Sequence, residues 1–365
     1  MSQISLDVLP LDDQFSPWKI LTYPAVLQAI RDDAQLSPIN LEINPTNVCN
    51  QSCHWCTYGY LHDRKEFLPL EVVLALLRDA RALGIESVTW TGGGEPTVYQ
   101  PLPDVIVAAA ELGFRQGLNS NGALFTPYLM DLVTAHLTYV RFSVDAGTPA
   151  TYSRTHRISP EVFSRVTGHI AELTRRRDAG LSRTAIGFSF LVDASNVDDL
   201  LAAARLAREL GVDYFQIKPI VHYVVSNFQF AEHSELWHRM EAQLDDVFAL
   251  QTDRFAIRFL GFKFHDIKQQ EQHYGRTYDQ CRGNELLANV GADGNVDVCC
   301  AYKGHPDWSF GNLHEQSFRE VWQSERRQQI LGRINVKKCP PLCKAHEMNK
   351  VFHYVRHFDT HREFI

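Results

Sequence analysis

The chain has 365 residues, 45% hydrophobic and 22% charged, with 36 Lys and Arg against 43 Asp and Glu. That length carries one large domain, or a large and a small one, with ample core, and the net charge of −7 argues against a nucleic-acid binder, which clusters Lys and Arg against phosphates. No run of 18 apolar residues occurs, and the N-terminus lacks a basic stretch followed by an apolar one, so the sequence predicts neither a membrane span nor a secretory signal and points to the cytoplasm, where thiols stay reduced.

In chain order, residues 1–38 read as an N-terminal cap, with a short helix over 24–33 stopped by Ser37-Pro38. From residue 39 strand and helix alternate. A short strand over 39–43 is followed by helical periodicity over 68–83, ended by Gly84, and a strand over 87–90 entering Gly92-Gly93-Gly94. Next come a helix over 102–112, a strand over 114–118 entering Asn119-Ser120-Asn121-Gly122, a helix over 127–135, and a strand over 139–144 entering Asp145-Ala146-Gly147. A broken helical region up to Gly180 leads to a strand over 184–192, a helix over 197–210 and a sixth strand over 214–220.

Six such units imply an α/β fold with a parallel sheet and helices outside it. Six are too few for a closed eight-unit barrel, so a partial (β/α)6 barrel is expected, with a flat doubly wound sheet as the rival. Either way the polar turns at the C-terminal strand ends carry the chemistry. Beyond 222 the regularity fades. A helix over 231–250 and a possible seventh strand over 255–260 precede a hairpin, 286–290 and 295–299, turning at Gly291-Ala292-Asp293-Gly294, and then a helix over 318–330. The expected division is a cap over 1–38, a barrel over 39–265 and a small cysteine-bearing domain over 266–365.

The eight cysteines fall at 49, 53, 56, 281, 299, 300, 339 and 343. In a reduced compartment such spacings favour metal or cluster ligation over disulfides. Cys49, Cys53 and Cys56 sit on the loop after the first strand. Three thiolates on one iron–sulfur cube leave one iron open to a ligand, as an open position marks a catalytic metal site. The alternative is zinc, with His54 as fourth ligand.

This spacing, the strand order and Thr91-Gly92-Gly93-Gly94-Glu95-Pro96 after the second strand together resemble the radical S-adenosylmethionine (SAM) superfamily. The resemblance covers roughly 39–222 as a barrel. It implies that Cys49, Cys53 and Cys56 hold a 4Fe–4S cluster whose open iron binds SAM, and that Gly93, Gly94 and Glu95 receive the methionine amino group. It further suggests Ser143 and Asp145 near the ribose and carboxylate, Arg154 as a carboxylate partner with His156 and Arg157 as rivals, and Trp55 near adenine. One-electron reduction then cleaves SAM to a 5′-deoxyadenosyl radical that takes hydrogen from a substrate carbon.

The C-terminal cysteines resemble the single-cluster "twitch" form of the auxiliary domain whose longer form is called SPASM. Five thiols exclude two all-cysteine auxiliary clusters. The resemblance assigns Cys281, Cys299, Cys339 and Cys343 to one auxiliary 4Fe–4S cluster, with a four-cysteine zinc site as the alternative. Strand alternation points Cys300 the other way, either as a small packed residue or as a hydrogen-atom donor. The substrate radical is then oxidised through the auxiliary cluster, a dehydrogenation, or receives hydrogen from Cys300, an epimerisation. Only 38 residues precede the barrel, which favours a small polar metabolite (a sugar, aminocyclitol or nucleoside) over a peptide. Tyr58, Tyr60, Lys218, His222 and Tyr223 are further candidates to face it, and an electron donor such as flavodoxin or ferredoxin is implied. A non-catalytic iron–sulfur or zinc protein is the remote alternative.

Overall fold

Seven strands run parallel in chain order: β1 (Asn40–Ile43), β2 (Ser87–Trp90), β3 (Arg115–Ser120), β4 (Leu137–Ser143), β5 (Ala185–Val192), β6 (Tyr214–Pro219) and β7 (Ala256–Phe259). The computed structural model describes residues 14, 16–220, 234–261, 263–264, 276–340 and 343–359. The helices between strands are α2 (Leu70–Ala82), α3 (Leu102–Glu111), α4 (Pro127–His136), α5 (Pro149–His156), α6 (Glu161–Ala179), α7 (Leu200–Glu209) and α8 (Ser234–Phe248), with α1 (Pro24–Arg31) ahead of the sheet. The alternation read from the sequence is therefore present, with the seventh strand added.

Each strand divides its residues by parity. Val140, Phe142 and Val144 on β4 and its exit, Ile186, Phe188 and Phe190 on β5, and Phe215 and Ile217 on β6 are fully buried against the helices. The alternate residues face the other way and are polar: Glu42, Arg141, Ser143, Ser189, Gln216 and Lys218. Registration places them side by side, Ser143 beside Ser189, Ser189 beside Gln216 and Leu191 beside Lys218. Curling such a sheet encloses its charged face.

Curling is visible in which charges meet. Lys344 pairs with Glu42 on β1 and also feels Lys218 on β6. A flat sheet would hold β1 and β6 about 24 Å apart, at about 4.8 Å per strand. The sheet is thus an open-sided barrel with a polar lumen, not the flat rival. Its floor is filled by Tyr139 and Tyr214, whose rings lie over Gly117 and Gly187. A Cβ at Gly117 would come within 2.1 Å of the Tyr139 ring, and one at Gly187 within 2.0 Å of the Tyr214 ring.

The hairpin of the C-terminal cysteine-bearing domain extends the barrel sheet. Its first strand, β8 (Leu287–Val290), pairs parallel with β1, while β9 (Asn295–Asp297) and β10 (Ser309–Asn312) add antiparallel. The result is one ten-stranded sheet in the order β10-β9-β8-β1-β2-β3-β4-β5-β6-β7. The single helix expected over 318–330 is two, α9 (Phe318–Gln323) and α10 (Glu325–Arg333). Ser324 between them is extended (φ −69°, ψ 150°), and its hydroxyl caps α10 by accepting from the Arg327 N–H at 3.1 Å. The described part of the N-terminal cap packs Ile20, Ile30 and Leu36 against Leu286, Val351 and Phe352, the last two on α11 (His346–His357).

Candidate active site

The loop after β1 is fixed on three sides. The Ser52 and His54 N–H groups donate to the His156 and Thr155 carbonyls at the end of α5, both at 3.2 Å. The Gln51 amide donates to the Tyr152 hydroxyl at 2.7 Å, and the Asn121 amide to Asn50 at 2.7 Å. Cys49, Cys53 and Cys56 are partly buried on this loop, each reduced. Burial pushes Cys49 up to about 11 and raises Cys53 and Cys56, and the three thiols feel one another. Thiols so placed need a cation to become thiolates.

His54 is committed elsewhere. One ring nitrogen lies 3.3 Å from the Thr155 carbonyl and the other 3.4 Å from the Asp193 carboxylate. That removes the fourth ligand of the zinc alternative and leaves three thiols. Among the described residues no three His, Cys, Asp or Glu side chains converge on a single ion. Three thiols on one loop are the donor set that a four-iron cube with one open iron takes.

The glycine turn braces this loop. Gly94 N–H donates to the Thr46 carbonyl at 2.9 Å and Glu95 N–H to the Val48 carbonyl at 2.9 Å. A Cβ on Gly94 would lie 2.1 Å from the Val48 oxygen, and one on Gly93 would lie 2.3 Å from Asn47 Oδ1. The glycines thus permit contact with the cysteine loop, where the sequence suggested contact with a ligand. Glu95 is buried and accepts from the Thr97 N–H (3.0 Å) and hydroxyl (2.7 Å), the Ser120 hydroxyl (2.7 Å) and the Asn121 N–H (2.8 Å). Its carboxylate ties the β2 turn to the end of β3. Burial still raises its pKa, against those four donors.

At the end of β4, Ser143 faces the lumen beside Ser189. Asp145 is buried with a left-handed backbone (φ 55°), accepts from the Leu191 N–H at 2.7 Å, and has its other oxygen 3.7 Å from His156 Nε2. Burial lifts its carboxyl to about 7, opposed by the Leu191 N–H and then by Lys218 and Arg141. Arg154 is not brought to the site. It is exposed, and its guanidinium donates to the Ser195 carbonyl at 2.6 Å. His156, two residues on, occupies the inner face, stacked on Tyr152 at 4.1 Å and edge-on to Trp55 at 6.1 Å. Trp55 is itself buried between His54 and His156. The sequence offered no cue to His62, whose Nε2 lies 3.8 Å from Cys56 Sγ and 3.0 Å from the Gly93 carbonyl. His222 and Tyr223 lie outside the described residues.

The second constellation is a cavity lined by Cys281, Cys299, Cys300, Cys339 and Cys343. The expected opposition of Cys299 and Cys300 does not hold. The strand stops at Asp297 and a 3-10 turn begins at Cys300, which brings both to the same cavity. Cys281 accepts from the Asn349 amide at 3.3 Å, and Arg276, Lys263 and Lys344 place positive charge around the thiols. Sulfur donors, a donating amide and compensating cations fit a four-thiolate cluster. The Tyr58 hydroxyl donates to the Cys300 carbonyl at 3.2 Å and the Tyr60 hydroxyl to the Lys303 carbonyl at 2.8 Å, so the two cysteine regions touch.

An open parallel barrel with a three-cysteine loop at its rim and a second cysteine cavity on the same sheet defines a class, the iron–sulfur enzymes that cleave SAM. The radical SAM superfamily pattern matches residues 43–233 and that of SPASM, an iron–sulfur cluster-binding domain, matches 281–345. The chain belongs to the radical SAM superfamily and carries a SPASM-type domain; its cofactors are SAM and 4Fe–4S clusters. It is 24% identical over 306 residues to the tungsten-containing aldehyde ferredoxin oxidoreductase cofactor-modifying protein of Pyrococcus furiosus, spanning 78% of this chain and 81% of that one. It is 23% identical over 301 residues to the PqqA peptide cyclase of Xanthomonas axonopodis pv. citri, spanning 79% and 74%. In fold it is similar to Streptococcus suis SuiB bound to precursor peptide SuiA, with TM-score 0.63 and 17% identity over 88% of this chain and 72% of that one. Among the described residues no helix is long and apolar enough to cross a membrane.

Proposed function

We propose that this radical SAM enzyme removes hydrogen from a carbon of a small polar metabolite held in the barrel lumen, with dehydrogenation as the outcome. The observation that carries this reading is the row of polar residues that β4, β5 and β6 turn into the lumen. When bound, SAM and the two clusters would supply hydrogen-atom abstraction and a sink for the remaining electron, with the second hydrogen leaving as a proton to water. In this reading Cys49, Cys53 and Cys56 hold the first cluster, and Cys281, Cys299, Cys339 and Cys343 the second. Gly93, Gly94 and Glu95 set the loop geometry, while Asp145 and Ser143 border the SAM site. Trp55 and His156 close the rim against water. A low-potential flavodoxin or ferredoxin supplies the electron.

Cys300 lines one cavity with the four cysteines assigned to the auxiliary cluster, and Glu42 and Lys344 line it too; dehydrogenation is preferred because the Cys300 thiol stands among those cysteines. A peptide substrate is the second reading, favoured by the likeness to the PqqA peptide cyclase. Anaerobic reconstitution should give about eight irons per chain, for two four-iron clusters, and 5′-deoxyadenosine with a reductant. Sugars, aminocyclitols, nucleosides and precursor peptides are then compared by mass spectrometry. A product two hydrogens lighter, formed equally by Cys300→Ala, is expected. Deuterium gained from heavy water and lost in Cys300→Ala would instead establish epimerisation. Tight zinc with no SAM cleavage would reject the enzyme.

A further inference from the structure

The lumen holds more positive charge than the protein neutralises. Its two acids are engaged. Glu42 pairs with Lys344, and Asp145 accepts from the Leu191 N–H. Lys303 is also satisfied, donating to Asn44 Oδ1 at 2.7 Å and lying 4.1 Å over the Tyr58 ring. Three cations remain, of which Lys263 also faces the thiols of the auxiliary cavity. Among the described residues the Lys218 and Lys263 ammonium groups have no hydrogen-bond or ion-pair partner. Arg141 spends Nη1 on a long 3.4 Å contact with Gln216, and its buried Nε has no partner at all.

These groups share one region. Lys218, at the C-terminal end of β6, feels Arg141, Lys263 and Lys344 as like charges and Asp145 as an opposite one. Asp145 in turn acts on Cys53, and Lys263 feels Cys300 and Cys343. The cations therefore lie between the three-cysteine loop and the five-cysteine cavity, where the proposed substrate sits. A buried donor without an acceptor, as at Arg141 Nε, is costly, and like charges packed beside it add to that cost. A protein that keeps such a group at a reaction chamber has an anion to receive there.

We propose that Lys218 and Arg141 form an anion-binding subsite of the lumen, and that the substrate presents a carboxylate or phosphate to it. This rests on the reading of the lumen as the substrate chamber. Lys263 adds long-range attraction, and the planar Arg141 adds directed donors. Desolvation, and then the charges of Arg141 and Lys263, hold Lys218 well below its ordinary pKa while the site is empty. A seated anion reverses that balance, so binding near neutral pH takes up a proton.

The test is calorimetry on the anaerobically reconstituted holoprotein saturated with SAM. Inorganic phosphate, glutarate and neutral glutaramide are titrated in two buffers of different ionisation enthalpy. Phosphate or glutarate should bind with proton uptake, and glutaramide should not. Lys218→Met and Arg141→Gln should each weaken the anion roughly tenfold and Lys218→Met should abolish the uptake, with SAM affinity unchanged. Tighter phosphate indicates a phosphorylated metabolite, and tighter glutarate an acidic sugar or an acidic peptide side chain. Absence of binding, binding indifferent to both substitutions, or loss of SAM affinity in Lys218→Met would each overturn the subsite; the last would assign these cations to the SAM carboxylate. Iron content and SAM cleavage on the same preparations test the parent reading, so intact clusters without anion binding fell the subsite alone.

Discussion

Gly94 shows how one residue connects two motifs that are distant in sequence. Its missing side chain lets the turn after β2 press on the backbone of the cysteine loop, so Gly94→Ala must push Val48 away. The variant should lose the first cluster and keep the second, leaving about four irons per chain where the parent holds about eight, by iron assay after reconstitution. His156 makes a separate, pH-dependent prediction. Burial holds its imidazole down at about 4, below its ordinary 6.5. A depressed pKa contributes stability at pH above the unfolded value and loses it as pH falls toward the folded one. The cluster-free chain should lose about 2 kcal/mol through this group between about pH 6.5 and 5, and His156→Gln should lack that slope in denaturant melts. The cysteine spacing was legible because it is local. Arg154 against His156 was not, because which residue of a short polar helix turns inward depends on packing partners far along the chain.

Elements were legible in type and blurred at their ends. Strand and helix alternation up to β6 follows from periodicity and glycine stops. The break at Ser324 did not show, because Phe318, Val321, Trp322 and Ile330 sustain a helical pattern across it and only the capping serine marks the interruption. Across that break the buried Arg327 joins α10 to the segment before β8. Its guanidinium lies 4.1 Å over Trp322 and donates to Glu285 at 3.1 Å, which also accepts from Arg282 at 2.5 Å. Two of its nitrogens are buried without partners, so the pair is no net gain over an apolar core. Removing one member is different. Arg327→Ala vacates the space and half-strips a buried carboxylate, and should cost about 3 kcal/mol in urea unfolding. The floor behaves oppositely. Gly187→Ala should destabilise by about 2 kcal/mol through the Tyr214 ring, and pairing it with Tyr214→Leu should recover most of that.

At the scale of the molecule, the pairing of β8 with β1 was not readable. The partners are more than 240 residues apart, and no local signal states which edge a late strand will join. The consequence is that the barrel is incomplete without the C-terminal region. A chain ending at residue 264 would bare the β1 edge, with Asn44 losing the Val290 carbonyl, at 2.8 Å, and Lys303 as partners. Such a truncation should aggregate or elute as mixed oligomers on size exclusion, where two independent domains would leave a soluble barrel. Charge patterning, too, emerges only here. Glu42, Arg141 and Lys218 look like scattered polar residues in sequence, and become one chamber once the sheet curls.

Strand β1 has a consequence for timing as well as for shape. Its exit leads into the first cysteine loop, and its ladder partner β8 begins six residues after Cys281. The two cysteine sites therefore adjoin neighbouring strands of a single ladder. In the proposed reading, where the auxiliary cluster would take an electron from the substrate, tunnelling decays steeply with separation, and this hydrogen-bonded register would hold the transfer distance constant from one turnover to the next. Substrate would then set that rate by what it adds to the lumen, not by swinging one site toward the other.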